Sequence, residues 1–140
     1  MRKIMFKAKR KDTSEWIYWN IYGELCRESG KRERLSIKKG ATTHYYDYIN
    51  QVYQIIDIKT ICQYTGLTDK NRRKIWENDI VKCNYDDYGD KGTYIGKVFF
   101  REDTCTFLVT DMKSTNYEWW NEDKEVIGNI FDNLELLGGQ

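Results

Sequence analysis

Ile4, Phe6 and Ala8 alternate with Met5, Lys7 and Lys9, and this period of two predicts a strand with one covered face. Asp12, Thr13 and Ser14 carry turn chemistry, after which Trp16, Ile17, Tyr18 and Trp19 read as a second strand, joined to the first by a hairpin. Residues 24–40, opened by Gly23, are polar, contain Gly30 and alternate in charge. They predict a long surface segment with room for a short edge strand at Leu35, Ser36 and Ile37. The period then changes: Tyr45, Ile49, Val52, Tyr53 and Ile56 recur at spacings of three and four, which places them on one face of a helix capped by Thr42 or Thr43. Between residues 57 and 64, Ile58 and Cys62 share one parity and Ile61 takes the other, so a strand partly buried on both faces is expected.

From Gly66 onward, apolar stretches at 74–83, 94–100, 107–110 and 126–130 are separated by turn-rich pieces, a pattern that predicts a small barrel or sandwich. Residues 86–92 read as a hairpin loop and residues 101–104 as a tighter one. Residues 131–137 allow one terminal helical turn, stopped by Gly138 and Gly139. Composition agrees with strands: the chain has 5 Trp, 11 Tyr and 5 Phe, no Pro, and Ala only at positions 8 and 41. With 140 residues it fits one domain or two small lobes. The expected class is mainly β with some α, an α+β protein.

Charge adds an asymmetry that the net +1 hides. Residues 1–44 hold 12 Lys and Arg against 5 Asp and Glu, a net +7, and residues 45–140 hold 11 against 17, a net −6. One reading is a basic surface of Lys7, Lys9, Arg10 and Lys11, continued by Arg27, Lys31, Arg32, Arg34, Lys38 and Lys39, that meets phosphates or an acidic partner. The other is pairing of a basic lobe with an acidic one, within a chain or between copies. Trp119 and Trp120, beside Tyr117, complete the candidate binding surface: neighbours on a strand point to opposite faces, so one ring fills the core and the other stays outside.

Reactive chemistry is sparse. His44 is the sole histidine and has no nucleophile motif near it, and the acid pairs Asp86 with Asp87 and Glu102 with Asp103 fall at turns, where solvated carboxylates are expected. Gly89 and Gly92 lack the following Lys-Ser or Lys-Thr of a phosphate-binding loop. Cys26, Cys62, Cys83 and Cys105 lie 36, 21 and 22 positions apart, which suits buried free thiols better than a zinc site. No apolar run reaches the roughly 18 residues of a membrane span, and Met1 to Met5 lead into charged residues rather than a signal-peptide core, so a cytoplasmic protein is expected.

The segment 63–81, QYTGLTDKNRRKIWENDIV, resembles the signature of the YopX family of bacteriophage and prophage proteins, whose usual form is close to QYTGLKDKNGKEIYEGDIV. The opening Met1-Arg2-Lys3-Ile4-Met5-Phe6-Lys7-Ala8 with residues 16–19 resembles the family's start, and residues 128–137 its closing GNIYENPELL. The resemblance implies an SH3-like β-barrel in a C-terminal lobe, residues 61–140, with a smaller β-rich N-terminal lobe, residues 1–60, and it supplies no catalytic residues. The motif itself reads as structural. Gly66 would end a strand at a positive φ, Asp69 to Arg72 would reverse the chain, Ile75 and Trp76 would anchor it, and Ile80 and Val81 would cover opposite faces. Arg72 and Asn78 stand where the usual form has glycines, and Leu134 where it has a proline. A left-handed Asn78 fits easily, whereas a left-handed Arg72 would cost about 1 kcal/mol, which predicts a reshaped turn there.

These readings converge on a non-enzymatic interaction module, without cofactor, metal or membrane, that binds a host or phage protein or itself as a homo-oligomer. The alternative is a nucleic-acid-binding protein using the basic N-terminal face.

Overall fold

The structure, a computed structural model, describes residues 3–31, 54–112, 116–117 and 123–138. The predicted edge strand at residues 35–37 and all but the last residues of the predicted helix over 42–56 lie outside these. The chain divides into two compact units after Tyr64. Both are built of antiparallel strands, and among the described residues helix is confined to short turns, so the class is mainly β.

In the first unit β1 (Met5–Lys9) pairs with β2 (Trp16–Asn20) in the register Met5 to Asn20 through Lys9 to Trp16, and β2 pairs with β3 (Leu25–Cys26). The hairpin turn is the one the sequence predicts. Arg10 N donates to Glu15 O, Ser14 N to Arg10 O, and Ser14 takes φ +60°. The other edge of β1 meets β4 (Cys62–Thr68), Lys7 opposite Cys62. That position corrects the expected single covered face: Met5 and Lys7 are buried as well as Ala8, because β1 is a central strand rather than a half-exposed one. Ala8, Ile17, Leu25 and Ile56 form the core, with Trp19, Ile55 and Ile61 packed against it.

The strand expected over 57–64 starts late. Ile58–Thr60 is a 3-10 turn, capped by the Asp57 carboxylate accepting from Lys59 N at 3.1 Å. The Thr60 hydroxyl accepts from Lys9 N at 2.8 Å and donates to Asp57 O at 2.6 Å, so this turn also satisfies the end of β1.

The second unit opens with the far half of β4, followed by β5 (Lys74–Trp76). Its large sheet has the order β10-β6-β7-β8-β9, from β6 (Asp79–Asp87), β7 (Asp90–Arg101), β8 (Thr106–Thr110), β9 (Asn116–Tyr117) and β10 (Lys124–Asn129). Ile75, Val81, Cys83, Val98, Val109 and Val126 are its core, flanked by Tyr94 and Phe107. Ile80 and Val81 are both buried, as their opposite orientations require. The predicted loop over 86–92 is tighter than its composition suggested. Asp87 still pairs with Asp90, and only Tyr88 and Gly89 turn, with φ +50° and +88°, the left-handed pair that matches the twist of a hairpin. A register shift between Val126 and Gly128 bends β10. The helix α1 (Glu135–Gly138) packs against β7; it begins four residues later than the predicted turn and includes Gly138, the predicted stop. Among the described residues no ladder joins β9 to β10, so the sheet is open at those strands.

Candidate functional site

The signature segment is a hydrogen-bonded scaffold. Asp69 is buried, and its Oδ1 accepts from Asn71 N at 2.8 Å and Arg73 N at 2.9 Å, while Oδ2 accepts from Val126 N at 3.0 Å. One carboxylate thus closes the β4–β5 turn and ties it to β10, whose Lys124 O also accepts from Lys70 N at 2.9 Å. Asp79 Oδ2 accepts from Trp76 N at 2.9 Å across the tight turn between β5 and β6, and the Thr65 hydroxyl donates to Ile75 O at 2.7 Å. Asn78 holds φ +69°, as an Asn does readily. Arg72 holds φ +64°, so the turn keeps a glycine-like backbone and the expected reshaping does not occur. Two anchors outweigh the strain: Arg72 N donates to Asp69 O at 3.0 Å, and Asp69 fixes the residues on either side. Gly66 is also left-handed, φ +86°, but lies within β4 instead of ending it.

The predicted basic surface is divided by the fold. Lys7 is 7% exposed, its ammonium 4.3 Å from the centroid of the Trp16 ring, and Lys9 is half-buried with its ammonium 5.5 Å from the same ring. Register explains the meeting, since Lys9 faces Trp16 across the ladder and Lys7 lies two residues along on the same face. Arg10 donates from Nε and Nη2 to the two oxygens of Asp12, both at 2.9 Å. The fork raises the Arg10 pKa and holds Asp12 at about 2. Lys11 is exposed. Arg32, Arg34, Trp119, Trp120 and His44 lie outside the described residues.

Sequence reasoning missed a turn that the fold makes prominent. Between β2 and β3, the Asn20 side chain accepts from Tyr22 N at 2.9 Å and Glu24 N at 3.1 Å, Gly23 N donates to Asn20 O at 2.9 Å, and Gly23 takes φ +76°. This fixed loop presents Ile21 and Tyr22 to solvent, 55% and 61% exposed. Asn20 followed three residues later by Gly23 was the available signal.

The second unit carries an open groove of about 500 Å³ beside the β6–β7 hairpin, lined by Asn84, Tyr85, Asp86, Lys91, Gly92 and Asp123. Tyr85 faces Gly92 across the ladder, and its ring lies where a Cβ at 92 would be, so the absence of a side chain at 92 makes room for it. Asp123 accepts from the Asn84 amide at 2.8 Å, and Asp86 lies 3.9 Å from the Lys91 ammonium. The neighbouring Lys124 is buried opposite Cys83, and burial pulls its pKa down. Burial pushes the Cys83 thiol up, partly offset by Tyr94 and Lys124. Cys26, Cys62 and Cys83 are buried free thiols, whereas Cys105 is exposed. Glu102 and Asp103 are solvent-facing turn acids, whereas Asp86, expected at a turn, is a solvent-facing residue of β6 paired with Lys91; Asp103 is lowered by Arg101, which donates to it at 2.8 Å. Among the described residues no group of three or more His, Cys, Asp or Glu is placed to hold a metal ion, and no helix is long and apolar enough to cross a membrane.

Two antiparallel sheets, with a signature turn locked by Asp69 between two strands of the second unit, define the class of fold. The family model described as YopX protein matches residues 5–138, nearly the whole chain, and the chain belongs to that family. A solved structure similar to it is that of protein EF1440 from Enterococcus faecalis, at 20% identity and TM-score 0.48, covering 96% of this chain and 97% of that one. No curated protein matches the chain.

Proposed function

We propose that the chain is a non-enzymatic interaction module of phage or prophage origin that works in the bacterial cytoplasm by binding a protein partner or itself. The Asn20 turn carries this reading. Two adjacent large side chains, one of them the tyrosine favoured at interfaces, stand in solvent on a loop whose own hydrogen bonds fix it in advance. Binding through such a loop avoids much of the ordering cost that weakens flexible contacts. The large sheet is our counterpart for the SH3-like lobe implied by the family resemblance, and the bend in β10 supports that assignment. The test is affinity capture with the wild-type chain and with Tyr22→Ser: loss of the captured or self-associated species in the variant is expected. Capture indifferent to Ile21 and Tyr22 would remove the reading.

A second reading, nucleic-acid binding, rests on Lys9 beside the Trp16 ring with Lys11 exposed two residues on. It is the weaker because Lys7 is buried and Arg10 is held by Asp12. Binding to single-stranded DNA that weakens steeply with salt would favour it.

A further inference from the structure

We infer that the occupant of the groove beside the β6–β7 hairpin is the Ile21–Tyr22 turn of a second copy, giving a head-to-tail assembly. This rests on the interaction-module reading and names its partner. The first argument is charge. Residues 1–64 carry 13 Lys and Arg against 7 Asp and Glu, a net +6, and residues 65–140 carry 10 against 15, a net −5. The division in charge therefore coincides with the division into units, and the first unit of one copy is attracted to the second unit of another.

The second argument is shape and chemistry. The turn is convex and apolar at its tip, with a phenolic hydroxyl on Tyr22. The groove, about 500 Å³, falls within the range of about 300–1,000 Å³ typical of pockets that bury a small ligand. It offers the Tyr85 ring, packed over Gly92, to the apolar part, and the Asp86 and Asp123 carboxylates to the hydroxyl. Projection and groove are different sets of residues, one in each unit, so in a head-to-tail contact a copy that gives its turn to one neighbour keeps its groove for another. Assembly then continues to a ring or an open chain rather than stopping at a symmetric pair.

The geometry sets a complementation experiment with the full-length protein. The particle mass is followed by light scattering against concentration for the wild type, for Tyr22→Ser, for Asp86→Lys, and for an equimolar mixture of the two variants. Both positions are solvent-exposed, and thermal unfolding of each variant, expected to match the wild type, confirms that it folds. The expected result is a wild-type mass that grows with concentration and falls back as salt rises from about 50 mM to about 500 mM, where the Debye length shortens severalfold. Each variant alone should stay monomeric, and the mixture should form dimers and stop there, since only one intact projection faces one intact groove. A wild-type protein that remains monomeric, variants that still assemble, or a mixture that does not recover would each overturn the inference. If the wild type is monomeric yet captures another protein through Tyr22, this inference fails and the module stands. If it is monomeric and captures nothing through Tyr22, both fail.

Discussion

Removing the Asp69 carboxylate tests whether the family signature is a scaffold. In Asp69→Ala three backbone donors lose their acceptor: the N–H groups of Asn71, Arg73 and Val126. Val126 is buried, so its N–H has no water to replace the carboxylate, a penalty of about 1–3 kcal/mol. Asn71 and Arg73 are exposed and rehydrate, so each contributes only about 0.5–1.5 kcal/mol. The expected total is about 2–6 kcal/mol, a large part of the roughly 5–15 kcal/mol of a typical domain. Asp69→Asn keeps one accepting oxygen but turns an NH2 toward the remaining donor, and should cost about half as much. Urea unfolding read through tryptophan fluorescence gives both values, because Trp76 is buried in the same unit. Hydrogen exchange should locate the defect, with the Val126 amide losing protection in both variants. A cost below about 1 kcal/mol for Asp69→Ala, or an unchanged Val126 amide, would refute the argument that this side chain fastens the turn to β10.

Arg72→Gly is expected to stabilise the chain by about 0.5–1 kcal/mol, because it relieves a left-handed φ, while Asn78→Gly should be close to neutral; the same urea titration compares them. Lys124→Met removes a titrating charge from a buried position and so isolates that charge's part in the pH dependence of stability. Since the folded pKa of Lys124 lies below its ordinary 10.5, the unfolded chain binds more protons between those values. Wild-type stability should therefore climb with pH in that alkaline interval, a climb that Lys124→Met lacks in thermal unfolding against pH. For Asp12, held at about 2 by Arg10, the slope has the same sign in an acid window: the contribution of the pair is present above the ordinary carboxylate value of 3.8 and disappears as pH falls through about 2. Arg10→Ala should return the Asp12 carboxyl resonance to a midpoint near 3.8 in an NMR titration.

Local pattern was readable where one strand and its turn decide the outcome. The period of two in β1, the turn at Asp12 to Ser14 and the left-handed backbone at Gly66 all follow from side-chain order and backbone sterics. Lys7 shows the limit. Alternation marks which residues share a face, but not whether a neighbouring strand covers the opposite one, and β4 comes from more than 50 positions away, with Cys62 opposite Lys7. The groove has the same origin. Tyr85 and Gly92 face each other only because the hairpin turns at Tyr88 and Gly89, and a looser loop over 86–92 would have set another register.

The same reasoning locates where function can be sought. Both oxygens of Asp69, one oxygen of Asp79 and the Thr65 hydroxyl are committed to holding backbone. A carboxylate that gave up those bonds to accept a proton or bind a ligand would leave the buried N–H of Val126, for Asp69, or of Trp76, for Asp79, without a partner, at about 1–3 kcal/mol each. Chemistry at this motif would therefore come at the expense of the fold, and a family that keeps the motif keeps a turn. What differs from one copy of such a scaffold to another has to be carried by side chains that the scaffold does not need. In the described residues the Ile21–Tyr22 pair meets that condition, for the Asn20 turn would close just as well with serines at both positions.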